Sequence, residues 1–441
     1  MKKIGSFIAL AVVIIIAAVG GWLYHANYLD REKPVIKLNQ DIVAIGKSKE
    51  ISISFSDGAS GLSDIKVEIV QNNKTHLLAQ ESIPSRGTKQ KVLQFKVNTV
   101  DLQLKNGPAS LQITAADYSL FKNQAAWIQQ ITIDTVPPNI EVLSTVNYIN
   151  QGGTGFIAYR TSKPSALTGV YVDDHFSQGH TIFINNKPVA VTYFALPMNV
   201  TNDNSKIAIF ARDDAGNEAR ISLPCNIKLK IFRSDKLNLG EAFLNQKMPE
   251  FQAMVPELQN KPLTDVFAYV NTQMRQDNAR TIQKICSHSS NKKFWDGTFL
   301  RMSNAKPMAL FGDYRIYIID NKPFGNSTHL GVDLASTAHA PIEAANAGVV
   351  KFAGPLGIYG NAVIIDHGLG LFSLYGHMSA IETSVEKTVK KGDRIGLSGL
   401  TGLAGGDHLH FSILVNGQFV NPVEWWDPHW IKDNIEKKMA M

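Results

Sequence analysis

The stretch from residue 329 to residue 411 constrains the fold of this chain most, because polar side chains recur in it among short apolar runs. His408 and His410 are two residues apart and flank Leu409. In a β-strand, residues i and i+2 point to one face, so both imidazoles would face the same way. Leu409 and Phe411 would then face a core. The pattern predicts a β-rich domain that presents histidines on one face.

A second pair, His329 and Asp333, is four residues apart. Gly331 and the β-branched Val332 between them favour strand and loop over helix. Residues i and i+4 of a strand also share a face, so we expect this pair to point in one direction. His377 lies between the two pairs in the sequence. Three nitrogen or oxygen ligands with an open fourth position are typical of catalytic zinc sites, whereas structural sites are closed and often rich in cysteine.

The residues around these pairs resemble the lysostaphin-type (LytM-type) zinc endopeptidases, which cut peptide bonds in peptidoglycan. The resemblance runs from about residue 311 to residue 426 and so covers only the C-terminal part of the chain. The motifs that carry it occur in the family's order: 329–335 (HLGVDLA), 341–350 (PIEAANAGVV), 359–368 (YGNAVIIDHG), 374–379 (LYGHMS), 391–396 (KGDRIG), 408–411 (HLHF) and 416–422 (NGQFVNP).

This resemblance implies roles for the polar residues. It makes His329, Asp333 and His410 the zinc ligands, and it places His377 and His408 beside the metal as the catalytic pair. Zinc polarises a scissile carbonyl and lowers the pKa of bound water towards neutrality. A nearby histidine can take the water proton or stabilise the oxyanion, because its pKa lies near the working pH.

Two further residues near these motifs have open roles. The family often has proline before the His-x-His motif, whereas this chain has Asp407. Asp407 either orients His408 through a hydrogen bond or belongs to a Gly-Gly-Asp turn. Tyr359 is a candidate hydrogen-bond donor to an oxyanion.

The N-terminal segment predicts a membrane span. Residues 4–24 carry no charged side chain, and about 20 apolar residues suffice to cross a bilayer as a helix. Lys2 and Lys3 predict a cytoplasmic start. The alternative is a cleaved signal peptide, for which residues 18–20 (AVG) offer a small-x-small site. The length of the run favours an uncleaved anchor, with the bulk of the chain outside the cytoplasm on the periplasmic or cell-wall side.

Composition and charge narrow the remaining classes of function. Of 441 residues, 44% are hydrophobic and 19% are charged, which is enough apolar material for several domains. The net charge of +6 is spread along the chain without a basic block, so we expect no nucleic-acid partner. Outside the cytoplasm, Cys225 and Cys286 either pair with one another or remain free thiols.

The region from residue 34 to residue 224 is predicted to be all-β, in two units. Alternating runs such as 50–55 (EISISF) and 92–97 (VLQFKV) are typical of sandwich strands. A weak internal repeat relates 34–38 (PVIKL) to 138–143 (PNIEVL). The units resemble bacterial immunoglobulin-like domains. Such domains serve as spacers or as docking surfaces for an envelope protein partner or the wall, and fold alone does not separate these roles.

Residues 234–290 change to helical spacing, with Pro262 near the start of one helix. Some proteins of the resembled family have an upstream segment over the groove, and a tethered segment acts at high effective concentration. We therefore expect a protein truncated to begin near Asn291 to cleave faster than one beginning near Glu32. The candidate blocking groups are Asn304, His288 and Asp313.

These observations predict a mainly β, membrane-anchored envelope protein. The expected segments are an anchor and flank (1–33), a first β-sandwich module (34–135), a second (136–233), a helical connector (234–300) and an antiparallel β zinc endopeptidase domain with its C-terminal tail (301–441). The expected function is hydrolysis of the peptide cross-links of peptidoglycan. The alternative is a non-enzymatic envelope regulator that activates a cell-wall amidase or scaffolds a wall-remodelling complex. Degenerate regulators lose site residues, and this chain retains them.

Overall fold

The computed structural model describes residues 2–440, with Met1 and Met441 outside the described part of the chain. The side chains of Lys2 and Lys3, on which the expected orientation of the anchor depends, also lie outside it. The chain divides into two compact units. One consists of residues 1–138 with the short pieces 164–166 and 212–218, and the other contains the remaining residues. Strands dominate both units, which confirms the predicted mainly β class.

The first unit begins with helix α1 (Lys2–His25). The part from Phe7 to His25 is long and apolar enough to cross a membrane, and none of it is buried in the protein. The helix gives way to a turn in which Asn27 adopts a positive φ of 56°. A left-handed residue of this kind is a common helix terminator, and asparagine tolerates it. The helix is compatible with either a membrane anchor or a signal sequence.

Two sheets, in which nearly all strand pairs are antiparallel, follow α1 and enclose one apolar core. Alternate residues of their strands are buried, as the two-residue repeat predicted, including Ile53 and Phe55 in one sheet and Ile65 and Val67 in the other. The sheets have strand orders β1-β3-β6 and β2-β8-β7-β4-β5. The strands are β1 (Val35–Leu38), β2 (Ala44–Ile45), β3 (Ser48–Ser56), β4 (Leu62–Gln71), β5 (Lys74–Ser82), β6 (Gln90–Asn98), β7 (Gly107–Asp117) and β8 (Gln124–Ile133).

A second set of strands opens the other unit, with sheet orders β14-β15-β11-β9 and β13-β12-β16-β17 and a parallel pair β10-β18. Both faces of β11 are covered. Ile157 and Tyr159 pack between the two sheets, while Phe156 and Ala158 join the core of the C-terminal domain. The strands are β9 (Ile140–Val142), β10 (Asn147–Asn150), β11 (Thr154–Thr161), β12 (Leu167–Val172), β13 (His175–Gln178), β14 (His180–Ile184), β15 (Lys187–Ala195), β16 (Ile207–Arg212), β17 (Glu218–Ser222) and β18 (Cys225–Lys228).

The helical region lies between β19 (Ser234–Asn238) and the C-terminal strands. Its helices are α2 (Glu241–Met254), α3 (Leu263–Tyr269) and α4 (Arg275–Ile285), and Pro262 precedes α3 as predicted. A 3₁₀ turn (Pro256–Leu258) and a π-helical turn (Val270–Met274) connect them. The apolar face formed by Met248, Phe251 and Ile282 packs against the C-terminal sheet. The helices are therefore part of one continuous core with that sheet.

The C-terminal domain is built on a sheet of order β20-β23-β31-β27-β26-β25-β29, with β32 also paired to β31. Smaller sheets have the orders β24-β30-β28 and β19-β21-β22. The strands are β20 (Lys306–Ala309), β21 (Tyr314–Ile319), β22 (Lys322–Thr328), β23 (Val332–Ala335), β24 (Pro341–Glu343), β25 (Gly348–Pro355), β26 (Asn361–Gly368), β27 (Leu371–Met378), β28 (Ala380–Ile381), β29 (Thr388–Val389), β30 (Arg394–Leu397), β31 (Leu409–Val415) and β32 (Gln418–Val420).

Short helical turns complete the chain, namely Pro422–Trp426, α5 (Pro428–Ile431), Lys432–Glu436 and α6 (Lys437–Met439). Trp425 in the first of these is fully buried in the core of the domain, so it serves packing. Both cysteines are free thiols, with Cys225 half-buried and Cys286 buried. Of the two alternatives open from the sequence, the structure therefore has the unpaired one.

The buried Glu424 joins the second β set to the C-terminal turns. Its carboxylate oxygens accept hydrogen bonds from Thr154 N and Asn150 Nδ2, each at 2.9 Å. A β-carbon on Gly153 would lie 2.4 Å from Glu424 Oε1, so glycine is required at that position for the carboxylate to fit. Burial raises the pKa of Glu424 to about 7, although both hydrogen bonds oppose the shift.

We expect Glu424 to lower the free energy of unfolding of the protein as pH rises from about 4.5 to about 7. Its folded-state pKa exceeds the ordinary 4.5, so its contribution is fully present below about pH 4.5 and is lost as pH rises through about 7. The loss is about 3 kcal/mol at most. Thermal unfolding of wild type and Glu424→Gln between pH 5 and pH 8 measures it, because other titrating groups cancel in the comparison. Parallel pH profiles for the two proteins would contradict the assignment.

Candidate metal centre

Three strand ends bring His329, Asp333 and His410 together. His329 directly follows β22, Asp333 lies in β23, and His410 lies in β31. Asp333 and His410 are direct cross-strand partners in the antiparallel pair β23–β31. The expectation that His329 and Asp333 share one strand is wrong, because a bend at Gly331 separates β22 from β23. They nevertheless converge, because the bend turns the chain back towards the same cavity.

The three side chains place one atom each in a tight triangle. His329 Nε2 lies 2.9 Å from Asp333 Oδ1 and 3.0 Å from His410 Nδ1. His410 Nδ1 lies 2.9 Å from the same Asp333 oxygen. Gly331 allows this approach, since a β-carbon there would lie 2.6 Å from His410 Nε2. Among the described residues these three form one of two groups whose spacing suits a metal ion.

Hydrogen bonds behind the triangle fix the tautomers of both histidines. His329 Nδ1 donates to the carbonyl oxygen of Leu310 at 3.0 Å, so Nε2 is an acceptor. Ser412 Oγ donates its single proton to the Leu330 carbonyl at 2.8 Å and therefore accepts from His410 Nε2 at 3.0 Å. His410 Nδ1 is thus an acceptor as well. Such outer hydrogen bonds orient histidine ligands in metal sites.

The triangle consequently consists of acceptors alone. Burial by itself raises the pKa of Asp333, but the neighbouring His329, together with His408 and His410, outweighs burial and holds that pKa well below its usual range. The carboxylate is therefore ionised, and its oxygen faces two imidazole lone pairs. A cation at the centre of the triangle would satisfy all three atoms. Two nitrogens and one carboxylate oxygen are a donor set that suits zinc.

His377 and His408 stand beside the triangle. His377 is the next-to-last residue of β27 and has a positive φ of 63°, and its Nδ1 donates to the Thr401 carbonyl at 2.9 Å. His408 Nδ1 donates to the Gly406 carbonyl at 2.8 Å. The two rings lie 4.8 Å apart between centroids. In both rings Nδ1 is committed, so Nε2 is the nitrogen left for chemistry.

The environments of these two histidines push their pKa values apart. Burial holds the pKa of His377 well below its usual range, with the neighbouring His408 and His410 adding to the shift. Burial also works against protonation of His408, but the hydrogen bond and charge of Asp333 outweigh it and raise that pKa. His408 Nε2 lies 3.5 Å from Asp333 Oδ1. The two rings are therefore shifted in opposite directions from the ordinary histidine pKa.

Comparison with known protein families adds the deciding observation. The family model described as Peptidase family M23 matches residues 327–422, a stretch that contains the three residues of the triangle and both neighbouring histidines. Residues 327–422 are a peptidase family M23 domain. The family predicted from the sequence motifs is therefore confirmed for the C-terminal part of the chain.

Two curated relatives illustrate the extent of the likeness. Over 95 residues the chain is 45% identical to the DD-carboxypeptidase/endopeptidase Mpg of Neisseria meningitidis serogroup B, with 22% of this chain and 22% of that protein covered. Over 96 residues it is 38% identical to the peptidoglycan DD-endopeptidase ShyA of Vibrio cholerae serotype O1, again covering 22% of each. The chain thus matches less than a quarter of the length of these relatives, within the M23 domain.

Two solved structures are also similar. A peptidase M23 structure from Pseudomonas aeruginosa covers 63% of this chain and 94% of its own, with 17% identity and a TM-score of 0.40. The catalytic domain of lysostaphin from Staphylococcus simulans covers 29% of this chain and 96% of its own, with 27% identity and a TM-score of 0.25.

The triangle of the M23 domain opens into a cavity of about 140 Å³. Two arginines that the sequence motifs did not indicate line it. Arg315 of β21 places Nη2 3.4 Å from Asp333 Oδ2 and so holds the carboxylate from its outer side. Arg275 of α4 reaches the cavity from the helical region, held by a 3.0 Å hydrogen bond to Asn271 Oδ1. A charged residue within the apolar run of β21 was the available signal for Arg315.

The helical region shapes this cavity further. Lys247 of α2 donates to the carbonyl of Leu400, at the start of the loop whose residues 403–405 line the cavity. Asn278 of α4 accepts a hydrogen bond from Ile358 N at 2.9 Å. Tyr359, proposed from the sequence as an oxyanion partner, lines the cavity with its ring 5.4 Å from that of His410. Helices outside the matched M23 segment therefore form part of the site.

Other polar candidates lie away from the cavity. Asp407 accepts hydrogen bonds from His339 N and Ser398 Oγ and none from the His408 ring, so it connects the segments around residues 339 and 398. His367 is buried, and its ring forms hydrogen bonds with the Ala347 carbonyl and with Ser373 Oγ, so its role is structural. The suggested blocking groups do not line the cavity; these are Asn304, His288 and Asp313.

Proposed function

We propose that this chain is a zinc metalloendopeptidase that hydrolyses peptide cross-links of peptidoglycan. The observation that carries the proposal is the convergence of three acceptor atoms, from His329, Asp333 and His410, beside two further histidines in one cavity. The names of the relatives, a DD-carboxypeptidase/endopeptidase and a peptidoglycan DD-endopeptidase, support the substrate class.

Zinc is the metal that this donor set favours. Two imidazole nitrogens and one carboxylate oxygen are typical of catalytic zinc, with the remaining position open to the cavity. When bound, zinc supplies Lewis-acid activation of the carbonyl and of the attacking water. The protein holds the ligands in place through Leu310, Ser412 and Arg315, which contact the outer sides of the three side chains.

The paired histidines are assigned to proton transfer and oxyanion stabilisation. Each commits Nδ1 to a backbone carbonyl, which leaves His377 Nε2 and His408 Nε2 for the reacting groups. A donor and an acceptor are both needed, because hydrolysis takes a proton from water and returns one to the leaving amine.

A second cavity, of about 440 Å³, extends the surface available to substrate. It shares Thr328 and Leu330 with the cavity at the triangle. The second β set lines it with His175 and Asn199, and the C-terminal domain contributes Phe419. We assign it to the peptide or glycan on one side of the scissile bond, since apolar walls with a few polar groups suit such a ligand.

The alternative function, a non-enzymatic envelope regulator, is less well supported. A regulator that only docks a partner needs no preorganised ligand triangle. Here the side-chain tautomers are set by Leu310 and Ser412, as they are for metal ligation. The β regions remain candidate spacers or docking surfaces for an envelope partner.

Mass spectrometry of released muropeptides tests the proposed function. The exported portion, beginning near Glu32, is incubated with peptidoglycan of either diaminopimelate or glycine-bridged type. We expect cross-linked dimers to be cut to monomers. Cleavage should be faster where a carboxylate flanks the scissile bond, because Arg275 lines the cavity, pairs with no described carboxylate of the protein and can bind one of the substrate. Asp333→Asn provides the inactive control. Intact dimers with the zinc-loaded wild-type protein would contradict the proposal.

We further propose that α1 is an uncleaved anchor in the cytoplasmic membrane, with the M23 domain on the outer side. Its part from Phe7 to His25 is continuous and apolar. We expect the full-length protein to stay with membranes after high-salt and carbonate washing, because no salt-sensitive contact holds a spanning helix. Soluble protein with a mature N-terminus near Gly21 would show that the segment is a cleaved signal sequence.

A further inference from the structure

Three carboxylates converge at one end of the first unit, far along the chain from the M23 motifs. Asp30 lies between α1 and β1, Asp57 follows β3, and Asp117 is the last residue of β7. One oxygen or more from each lies within 4.8 Å of the others. Asp57 and Asp117 are only 3% and 2% exposed. Sequence motifs gave no indication of this cluster, because its members are separated by long stretches of chain.

Most oxygens of the cluster already accept hydrogen bonds. Asp57 Oδ1 accepts from Gly61 N at 2.6 Å and from Ala59 N at 3.2 Å. Asp117 Oδ1 accepts from the backbone and hydroxyl of Ser119 and from Asn123 N, and its Oδ2 accepts from Asn123 Nδ2. These bonds fix the carboxylates rigidly in place without neutralising them.

Asp30 is tied to the same loops. Its Oδ1 accepts from Glu32 N at 2.9 Å and its Oδ2 from Ser60 N at 3.2 Å. Its backbone carbonyl accepts from Asn123 Nδ2 at 3.0 Å. The segment after α1 therefore contacts both loops that carry the buried aspartates.

Two buried oxygens of this cluster have no partner in the described structure. They are Asp57 Oδ2 and Ser60 Oγ, and both are inaccessible to solvent. None of the described lysine, arginine or histidine side chains forms an ion pair with the three aspartates. The nearby Arg86 instead stacks on Tyr28 and donates to the carbonyl of Ala26. Buried like charges without a counter-charge are costly, so a cation is the expected complement.

We infer that Asp30, Asp57 and Asp117 form a calcium site that fixes the segment after α1 to the first β unit. All the available ligands are oxygens, and several are carboxylates, which hard cations prefer. Calcium accepts a flexible set of six to eight oxygens, whereas magnesium demands a regular octahedron and retains its waters. Ser60 Oγ supplies a further oxygen. The inference is independent of the peptidase activity.

The second β set offers an internal comparison. Asn217 Nδ2 donates to the Asp134 carbonyl and to Asp213, just as Asn123 Nδ2 donates to the Asp30 carbonyl and to Asp117. Strand β11 of the second set corresponds to β3 of the first unit. The residue that follows β3 is Asp57, whereas the residue that follows β11 is Ser162. The second β set thus repeats the asparagine-bonded turn, but it has no carboxylate at the position of Asp57. Asp57 is therefore the carboxylate that sets the turn of the first β unit apart.

Calorimetric titration of the full-length protein in detergent micelles tests the site. After chelation, we expect the wild-type protein to bind one calcium ion and its unfolding temperature to rise by about 2–4 °C in millimolar calcium. Magnesium at the same concentration should have a smaller effect. Asp57→Asn should lose the binding and the shift, whereas Asp41→Asn, at an exposed position of the same unit, should keep both.

Two further variants keep the outcome decisive. Asp30→Asn changes a half-exposed ligand, so it should weaken calcium binding at least tenfold even if Asp57→Asn does not fold. His410→Ala should leave the calcium isotherm unchanged, which separates this site from the triangle of the M23 domain. Absence of calcium binding by the wild-type protein, or equal binding by Asp57→Asn and wild type, would overturn the inference.

Discussion

His410→Ala is expected to abolish tight zinc binding and to lower peptidoglycan cleavage by about 10³-fold or more. The substitution removes one of the three acceptors that converge in the triangle and leaves only His329 and Asp333. A third protein ligand separates catalytic zinc sites from adventitious two-ligand binding. Metal analysis after dialysis, together with the cleavage rate, measures both effects.

The matched control for this prediction is His339→Ala. His339 is an exposed histidine of the same domain that does not line the cavity. We expect that variant to keep its zinc and its rate. Stoichiometric zinc and normal turnover in His410→Ala would remove His410 from the ligand set.

His377→Ala and His408→Ala are expected to retain zinc while losing activity by about 10²–10⁴-fold. Neither ring belongs to the triangle, yet both present Nε2 to the same cavity. Their loss should therefore lower kcat more than it raises KM, because they act in the transition state and not in metal ligation. Zinc content and steady-state kinetics of each variant test the two halves of the prediction.

Two outcomes would change the roles assigned to His377 and His408. A metal-free His377→Ala or His408→Ala protein would mean that the affected residue is a ligand and that a member of the triangle takes its place in proton transfer. Full activity in both variants would show that the pair handles no proton and stabilises no oxyanion.

The motifs predicted the convergence of His329, Asp333 and His410 but not the way in which the chain achieves it. The i, i+4 spacing suggested one strand, whereas a bend at Gly331 divides the two residues between β22 and β23. Spacing alone does not distinguish these cases, since the approach of His410 is a cross-strand contact. The sequence motifs do not indicate Arg315, because its role depends on the sheet β19-β21-β22, which brings distant segments together.

The helical spacing predicted for residues 234–290 holds for α2 to α4, whereas residues 234–238 form strand β19. The spacing did not indicate what the helices pack against. The helices bury Met248, Phe251 and Ile282 against sheet residues that include Phe372 and Leu414. A protein beginning near Asn291 would expose that face of the sheet. It would lose about 25 cal/mol of stabilising free energy for each Å² of apolar surface that the helices now bury. The rate increase expected on truncation stays a prediction, because loss of this packing would lower the rate of the truncated protein independently of any restraint.

Arg275→Ala in the intact exported portion addresses the same question without removing the core. If Arg275 attracts a substrate carboxylate, the substitution should raise KM several-fold. A higher kcat/KM would instead indicate that the helical region restrains the enzyme through this side chain.

The proposed function requires that the M23 domain cleave peptidoglycan with a metal held by its triangle. Removal and return of zinc, with one purified cross-linked muropeptide as substrate, tests it most directly. We expect the chelated exported portion to release no monomer, as measured by mass spectrometry. One equivalent of zinc should restore cleavage in wild type but not in His410→Ala. Full activity of zinc-free wild-type protein would contradict the claim.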